Sequence, residues 1–150
     1  MARTIELATE NARSGRGGPF AALVVRNEKI IAEGTNLVTS ANDPTAHAEI
    51  VAIRLACQAL GSFQLAGCEI YTSCEPCPMC LGAIYWARPT RIFFASSAGD
   101  AAAAGFDDAF IYQQLQLPYG GRQIPMVQLM REEALAAFRA WEQNPAKTLY

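Results

Sequence analysis

The sequence predicts an α/β fold, a three-layer α/β/α sandwich on a five-stranded mixed sheet, in one domain over residues 1–150. Three observations carry this expectation. Two apolar segments at 20–25 and 30–36, separated by Asn27-Glu28-Lys29, read as a β-hairpin. A strand at 69–73, a helix at 77–87 and a strand at 91–95 make a unit of the kind that joins parallel strands by a right-handed crossover. No internal repeat, low-complexity run or linker interrupts the chain. At 150 residues, 51% of them hydrophobic, it can bury roughly 70% of its unfolded surface in one core.

In chain order, residues 1–13 space Ile5, Ala8 and Ala12 for a short helix at most. The loop Ser14-Gly15-Arg16-Gly17-Gly18-Pro19 follows. It lacks the Lys-Ser/Thr of a phosphate-binding loop and a preceding strand, so it reads as a tight entry into the first strand. After the hairpin, a loop over 39–44 leads into a helix over 45–60 with the apolar stripe Ala46, Ile50, Ile53, Cys57 and Leu60. Asp43 and Thr45 both qualify as its cap, Pro44 suits its first turn, and Gly61 ends it. The helix at 77–87 is apolar on nearly every side, which marks a central helix packed between other elements, and Arg88-Pro89 stops it. Beyond an alanine-rich stretch at 99–105, the pattern predicts a helix over 107–115, a last strand over 125–130, an amphipathic helix over 132–141 and a polar tail over 143–150.

Charge and cysteine usage narrow the function. Lys+Arg 12 against Asp+Glu 14 leaves no basic footprint for nucleic acid. There is no charged-then-apolar leader in residues 1–18 and no apolar run near the ~18 residues of a membrane span, so a cytoplasmic protein away from the membrane is expected. Five cysteines, three of them within 74–80, suit metal binding in a reducing compartment better than a disulfide framework.

The chemistry is concentrated in Cys74-Glu75-Pro76-Cys77-Pro78-Met79-Cys80 and in His47-Ala48-Glu49. His47, Cys77 and Cys80 supply three ligands for a zinc ion that keeps one position open for water, and Glu49 supplies a carboxylate to move that water's protons. Cys77 and Cys80 are three apart, so at the first turn of a helix both sulfurs point to one side, where the helix terminus favours thiolate. His47 and Glu49 are two apart and would diverge on a regular helix. At a helix start the chain is not yet committed to that geometry, so the site requires two helix N-termini facing one ion. H-x-E combined with P-C-x-x-C is a known signature of zinc-dependent base deaminases.

Competing readings are weaker. A C-x-x-C pair alone also marks a structural zinc corner or a redox pair. Cys74 extends it to a C-x2-C-x2-C run, but the following cysteine of a ferredoxin-type cluster is missing from 81–88. An all-sulfur site of Cys74 with Cys57 or Cys68 would leave the single histidine of the chain without a role.

From residue 17 to 150 the chain resembles the cytidine deaminase superfamily, and more narrowly the bacterial guanine deaminases. The resemblance rests on Gly17-Gly18-Pro19-Phe20, Asn42-Asp43-Pro44-Thr45-Ala46-His47-Ala48-Glu49, residues 71–87, Gly105-Phe106-Asp107-Asp108 and Tyr150. The metal motifs specify the superfamily, which includes cytidine, cytosine and transfer-RNA adenosine deaminases. Thr72-Ser73-Cys74-Glu75-Pro76 and the segment from Gly105 to Asp108 resemble guanine deaminases more specifically. The first helix is expected to be shorter than is usual there.

The resemblance implies a cytidine deaminase-like fold and zinc-dependent hydrolysis of guanine to xanthine and ammonia in purine catabolism, with one Zn2+ per subunit. Glu49 would be the proton carrier and Asp108 a second catalytic carboxylate. Asn36 would bind the base, with Phe20 and Trp86 as stacking walls. Tyr150, at the end of the 143–150 tail, would close the active site of a partner in a homodimer by tail exchange. From position alone, Asn36 is equally a turn residue, Asp107-Asp108 a helix cap, Phe20 and Trp86 core, and Tyr150 a terminal tip. The expected partner is a small purine, not a nucleic acid or a membrane. Rival functions are a deaminase of cytosine or guanosine, a transfer-RNA adenosine deaminase, which would need a basic surface, and a non-catalytic zinc module, which would close its site with a fourth protein ligand.

Overall fold

In the computed structural model residues 1–149 are described, and Tyr150 lies outside the described residues. The chain divides into two compact units, Met1–Ala109 and Phe110–Tyr150. The first unit contains, in order, α1 (Ala2–Ser14), β1 (Ala21–Arg26), β2 (Lys29–Thr35), the short α2 (Val38–Ala41), α3 (Ala48–Leu60), β3 (Glu69–Cys74), α4 (Pro78–Ala87), β4 (Arg91–Ser96) and α5 (Ala98–Ala103). At its boundary α6 (Ala109–Gln116) begins, and the second unit adds a 3-10 turn at Tyr119–Gly121 and α7 (Arg131–Gln143).

Asn27 and Glu28, with φ of 49° and 62°, build the tight turn that joins β1 to β2, since both central residues of this turn type need positive φ. β1 also pairs antiparallel with β3, and β3 pairs parallel with β4 across the α4 crossover, giving the order β2-β1-β3-β4. Among the described residues the mixed sheet therefore has four strands and not the expected five. Residues 125–130 form no strand: Pro125 has no N–H to give a ladder, Ile124, Val127 and Leu129 are exposed, and Met130 turns to φ 52°.

Alternation along the strands defines the layers of the first unit. Ala22, Val24, Ala32 and Ile70 pack with Ala48, Ala52 and Ala56 of α3 and with Ile84 and Ala87 of α4. The other face carries α1, whose Arg3 pairs with Glu33 of β2 at 3.0 Å, and Glu33 lies opposite Leu23 in the sheet. Helices thus cover both faces, as a three-layer sandwich requires.

α1 is a full 13-residue helix where at most a short one is expected. Its buried stripe is Thr4, Ala8 and Asn11, spaced for one helical face but too small and polar to register as apolar. α3 is also seated differently from its expected stripe. Its deepest residues are Ala48, Ala52 and Ala56, while Ile53, Cys57 and Leu60 pack at the flank. Close approach explains this, because a Cβ on Gly34 of β2 would fall 2.3 Å from the Ala48 carbonyl oxygen and 2.6 Å from the Ala52 nitrogen. Neither Asp43 nor Thr45 caps α3; Asp43 Oδ1 accepts from Thr45 N and Oγ1 in a local turn, and His47 is the N-cap. α4 is not packed on every side: Cys80, Ile84 and Ala87 are buried, but Tyr85 and Trp86 are 76% and 65% exposed. Among the described residues no helix is long and apolar enough to cross a membrane.

Candidate metal centre and active site

Two helix starts converge here. His47 caps α3 and Cys77 caps α4, both with extended backbone (ψ 154° and 167°), and neither side chain makes a capping hydrogen bond. Pro78 occupies the first helical position of α4, where its missing N–H would have had no partner in any case. The freed side chains meet. Cys77 Sγ and Cys80 Sγ each lie 3.5 Å from His47 Nδ1, and the ligand atoms of all three residues are within 4.8 Å of one another. Cys74 is buried apart from this cluster with its thiol donating to the Ser97 carbonyl at 3.5 Å, and Cys57 and Cys68 belong to the core, so neither the all-sulfur set nor the C-x2-C-x2-C cluster is assembled.

The three donors polarise one another. A hydrogen bond from the Cys80 thiol, aided by the His47 ring, holds Cys77 down to about 4 against the opposing effect of burial. Cys80 is pushed well up by the same hydrogen bond, in which it keeps the proton, and then by burial. His47 is raised by its hydrogen bond to Cys77. Glu49, one residue into α3 and 8% exposed, is raised chiefly by burial, an effect that the Cys80 thiol partly offsets. Two sulfurs and one imidazole at this separation fit a zinc ion, and among the described residues the cluster offers three donors where a structural site is closed by four.

The other expected residues distribute unevenly. Asn36, buried just beyond β2, donates its N–H to the Phe20 carbonyl at 3.0 Å, and Leu37 N donates to the Ala46 carbonyl at 2.9 Å, which stitches Asn36 and Phe20 to the segment that carries His47. Phe20 is partly in the core and meets Phe106 edge to face at 4.9 Å between centroids. Asp108 is half-buried and raised first by burial and then by the Cys77 thiolate, and its charge is felt at His47. Trp86 stands on the exposed face of α4, and Tyr150 lies outside the described residues. Sequence reasoning passed over Phe106 as a site residue; its signal was Gly105, whose φ of 91° turns the chain so that Phe106 reaches Phe20.

Comparison with known proteins agrees with this geometry. The family described as the cytidine and deoxycytidylate deaminase zinc-binding region matches residues 1–96. The chain is 54% identical to a guanine deaminase of Bacillus subtilis over 150 residues, all of this chain and 96% of that protein. The X-ray structure of guanine deaminase from Bacillus subtilis superposes with a TM-score of 0.97 at 54% identity, covering 99% of this chain and 95% of that one. A transfer-RNA-specific adenosine deaminase of Agrobacterium fabrum is 41% identical over 106 residues, 67% of this chain and 70% of that protein. The zinc-binding region of the family and the cluster of His47, Cys77 and Cys80 both point to zinc. The chain belongs to the cytidine and deoxycytidylate deaminase family.

Proposed function

We propose that this chain hydrolyses guanine to xanthine and ammonia, with His47, Cys77 and Cys80 holding one zinc ion per subunit and Glu49 carrying the protons. The observation that bears most weight is the convergence of a buried Glu49 carboxyl with a two-sulfur, one-imidazole donor set at the starts of α3 and α4. The full-length relationship to a guanine deaminase supplies the substrate.

A zinc ion with three protein ligands supplies Lewis acidity that makes water nucleophilic near neutral pH. The remaining work belongs to the side chains. Glu49 accepts a proton from the attacking water, passes it to the ring nitrogen beside the reacting carbon, and assists the departing amine. Burial raises its pKa, which suits a group that must both take and return a proton. Asp108 serves as a second carboxylate for the ring proton or the leaving amine, and its raised pKa supports that role. Asn36 binds the base, and Phe20 stacks on it with its position braced by Phe106.

The protein acts as a cytoplasmic homodimer in purine breakdown, with Trp86 and a partner's tail, residues 143–150 ending in Tyr150, completing the pocket. This reading is supported by exposed Trp86 on α4, exposed Phe94 on β4, and apolar residues Ile124, Val127 and Leu129 open to solvent. Among the described residues β4 pairs only with β3, so its other edge is free to receive a strand from a second copy. Five free cysteines suit a reducing compartment.

Ammonia release by the zinc-loaded protein from guanine, adenine, cytosine, cytidine and guanosine, measured in parallel, tests the proposal. Selective turnover of guanine is expected. Turnover of another base with guanine inert would overturn the substrate while leaving the metal site intact.

A further inference from the structure

Asn11 sits in α1 with no exposed surface. Its Nδ2 donates both hydrogens to main-chain carbonyls, to Gly18 at 2.9 Å and to Asn36 at 2.9 Å. Those carbonyls belong to the entry loop of β1 and to the exit of β2, so one amide ties together two segments distant in sequence. The backbone completes the knot: Phe20 N donates to the Gly18 carbonyl at 2.8 Å, and Asn36 N donates to the Phe20 carbonyl at 3.0 Å. Gly17 is packed into it as well, since a Cβ there would fall 2.0 Å from the Asn36 carbonyl oxygen and 3.1 Å from Asn11 Nδ2. Asn11 Oδ1 is buried without a hydrogen-bond partner among the described residues. An unpaired buried acceptor is destabilising, so it is the amino half of this side chain that makes an asparagine useful here.

The same knot orients the Asn36 side chain. Its Oδ1 accepts from Gly18 N at 3.4 Å and from Val38 N at 3.2 Å. Backbone N–H groups only donate, so turning the carboxamide over would set its NH2 against two donors. The acceptor end of Asn36 is therefore occupied by the fold. Its Nδ2 is left without a protein partner among the described residues, and the next residue, Leu37, donates its N–H to Ala46, the neighbour of His47.

We propose that Asn11 is a positioning residue that holds Asn36 as a hydrogen-bond donor to an acceptor atom of the base. The inference rests on the reading of Asn36 as the base-binding residue. It specifies the chemistry of the recognised edge: a carbonyl oxygen or an unprotonated ring nitrogen pairs with Nδ2, whereas an amino group would oppose donor to donor.

Steady-state kinetics on guanine for the zinc-loaded full chain, Asn36→Ala, Asn11→Ala and the double variant test it, with an unfolding temperature taken for each. Asn36→Ala is expected to raise KM by about ten-fold, the loss of one well-placed hydrogen bond. Asn11→Ala should raise KM several-fold with kcat changed less, and should add nothing to KM once Asn36 is already alanine. A purely structural role would lower the unfolding temperature without this dependence on Asn36. If Asn36→Ala raises KM while Asn11→Ala leaves it unchanged, or multiplies it equally in both backgrounds, the positioning role is overturned and base binding by Asn36 stands. An unchanged KM in Asn36→Ala overturns both. If Asn11→Ala fails to fold, Asn11→Ser replaces it: one hydroxyl can serve only one of the two carbonyls, so a smaller rise in KM with the same dependence on Asn36 is expected, and no rise overturns the role.

Discussion

His47 and Cys77 hold the same position in two different helices. Each is the N-cap of its helix, each leaves the capping hydrogen bond unmade, and Nδ1 of one lies 3.5 Å from Sγ of the other. Positions that commonly carry Ser, Thr, Asp or Asn carry an imidazole and a thiol of the His47, Cys77 and Cys80 cluster here. The arrangement explains how residues two and three apart in sequence, His47 with Glu49 and Cys77 with Cys80, share one small volume: the chain leaves its extended path within that interval.

A trade between capping and metal binding follows. Cys77→Ser introduces a capping hydroxyl, and a cap of this kind stabilises by about 0.5–2 kcal/mol. The metal-free variant should unfold at a higher temperature than metal-free wild type while losing zinc. Calorimetry after chelation, with metal analysis of the reloaded protein, checks both.

Metal uptake should depend on pH. The ligands must be deprotonated, yet Cys80 holds its proton strongly and His47 is raised by Cys77. Zinc binding therefore releases protons at neutral pH and weakens as pH falls. Titration in weakly buffered solution should acidify the medium; uptake without proton release would contradict the ligand set.

A second pH effect lies far from the site. Glu33 is held below the usual carboxylate range, first by its hydrogen bond from Arg3. A depressed folded pKa contributes stability that is present above the unfolded value and lost as pH falls through the folded one. Glu33→Gln should lower the unfolding temperature slightly at neutral pH, the pair being partly exposed. That difference should vanish below the carboxylate range, and its persistence there would assign the effect to packing.

Asp108→Asn and removal of residues 148–150 probe the pocket. The first should keep zinc and lower guanine turnover by about 10²-fold or more, the lower end expected for a proton-transferring group. The second should raise KM or abolish activity, with unchanged metal content. Unaltered kinetics in either variant removes that residue or tail from the account.

The clustering of His47, Cys77 and Cys80 was legible in sequence because it depends on local chain geometry: Pro78 starts α4, and His47, Glu49, Cys77 and Cys80 lie within one turn of two helix starts. Long-range packing was not legible. The stripe of Thr4, Ala8 and Asn11 is inward-facing but not apolar, and the alanine face of α3 is selected by Gly34 on a strand that the helix sequence does not mention. Residues 125–130 carry an apolar strand pattern, but a strand also needs a neighbour, and none is present among the described residues. Trp86 shows the same limit, since hydrophobicity alone did not distinguish a buried from an exposed helix position.

The most direct test of the central claim is zinc content and xanthine formation measured on the same preparations of wild type and Glu49→Gln. The account predicts equal zinc in both and a loss of guanine turnover of roughly 10²- to 10⁴-fold in the variant, the range for removal of a positioned proton carrier. Wild-type turnover by a zinc-loaded Glu49→Gln protein would contradict it.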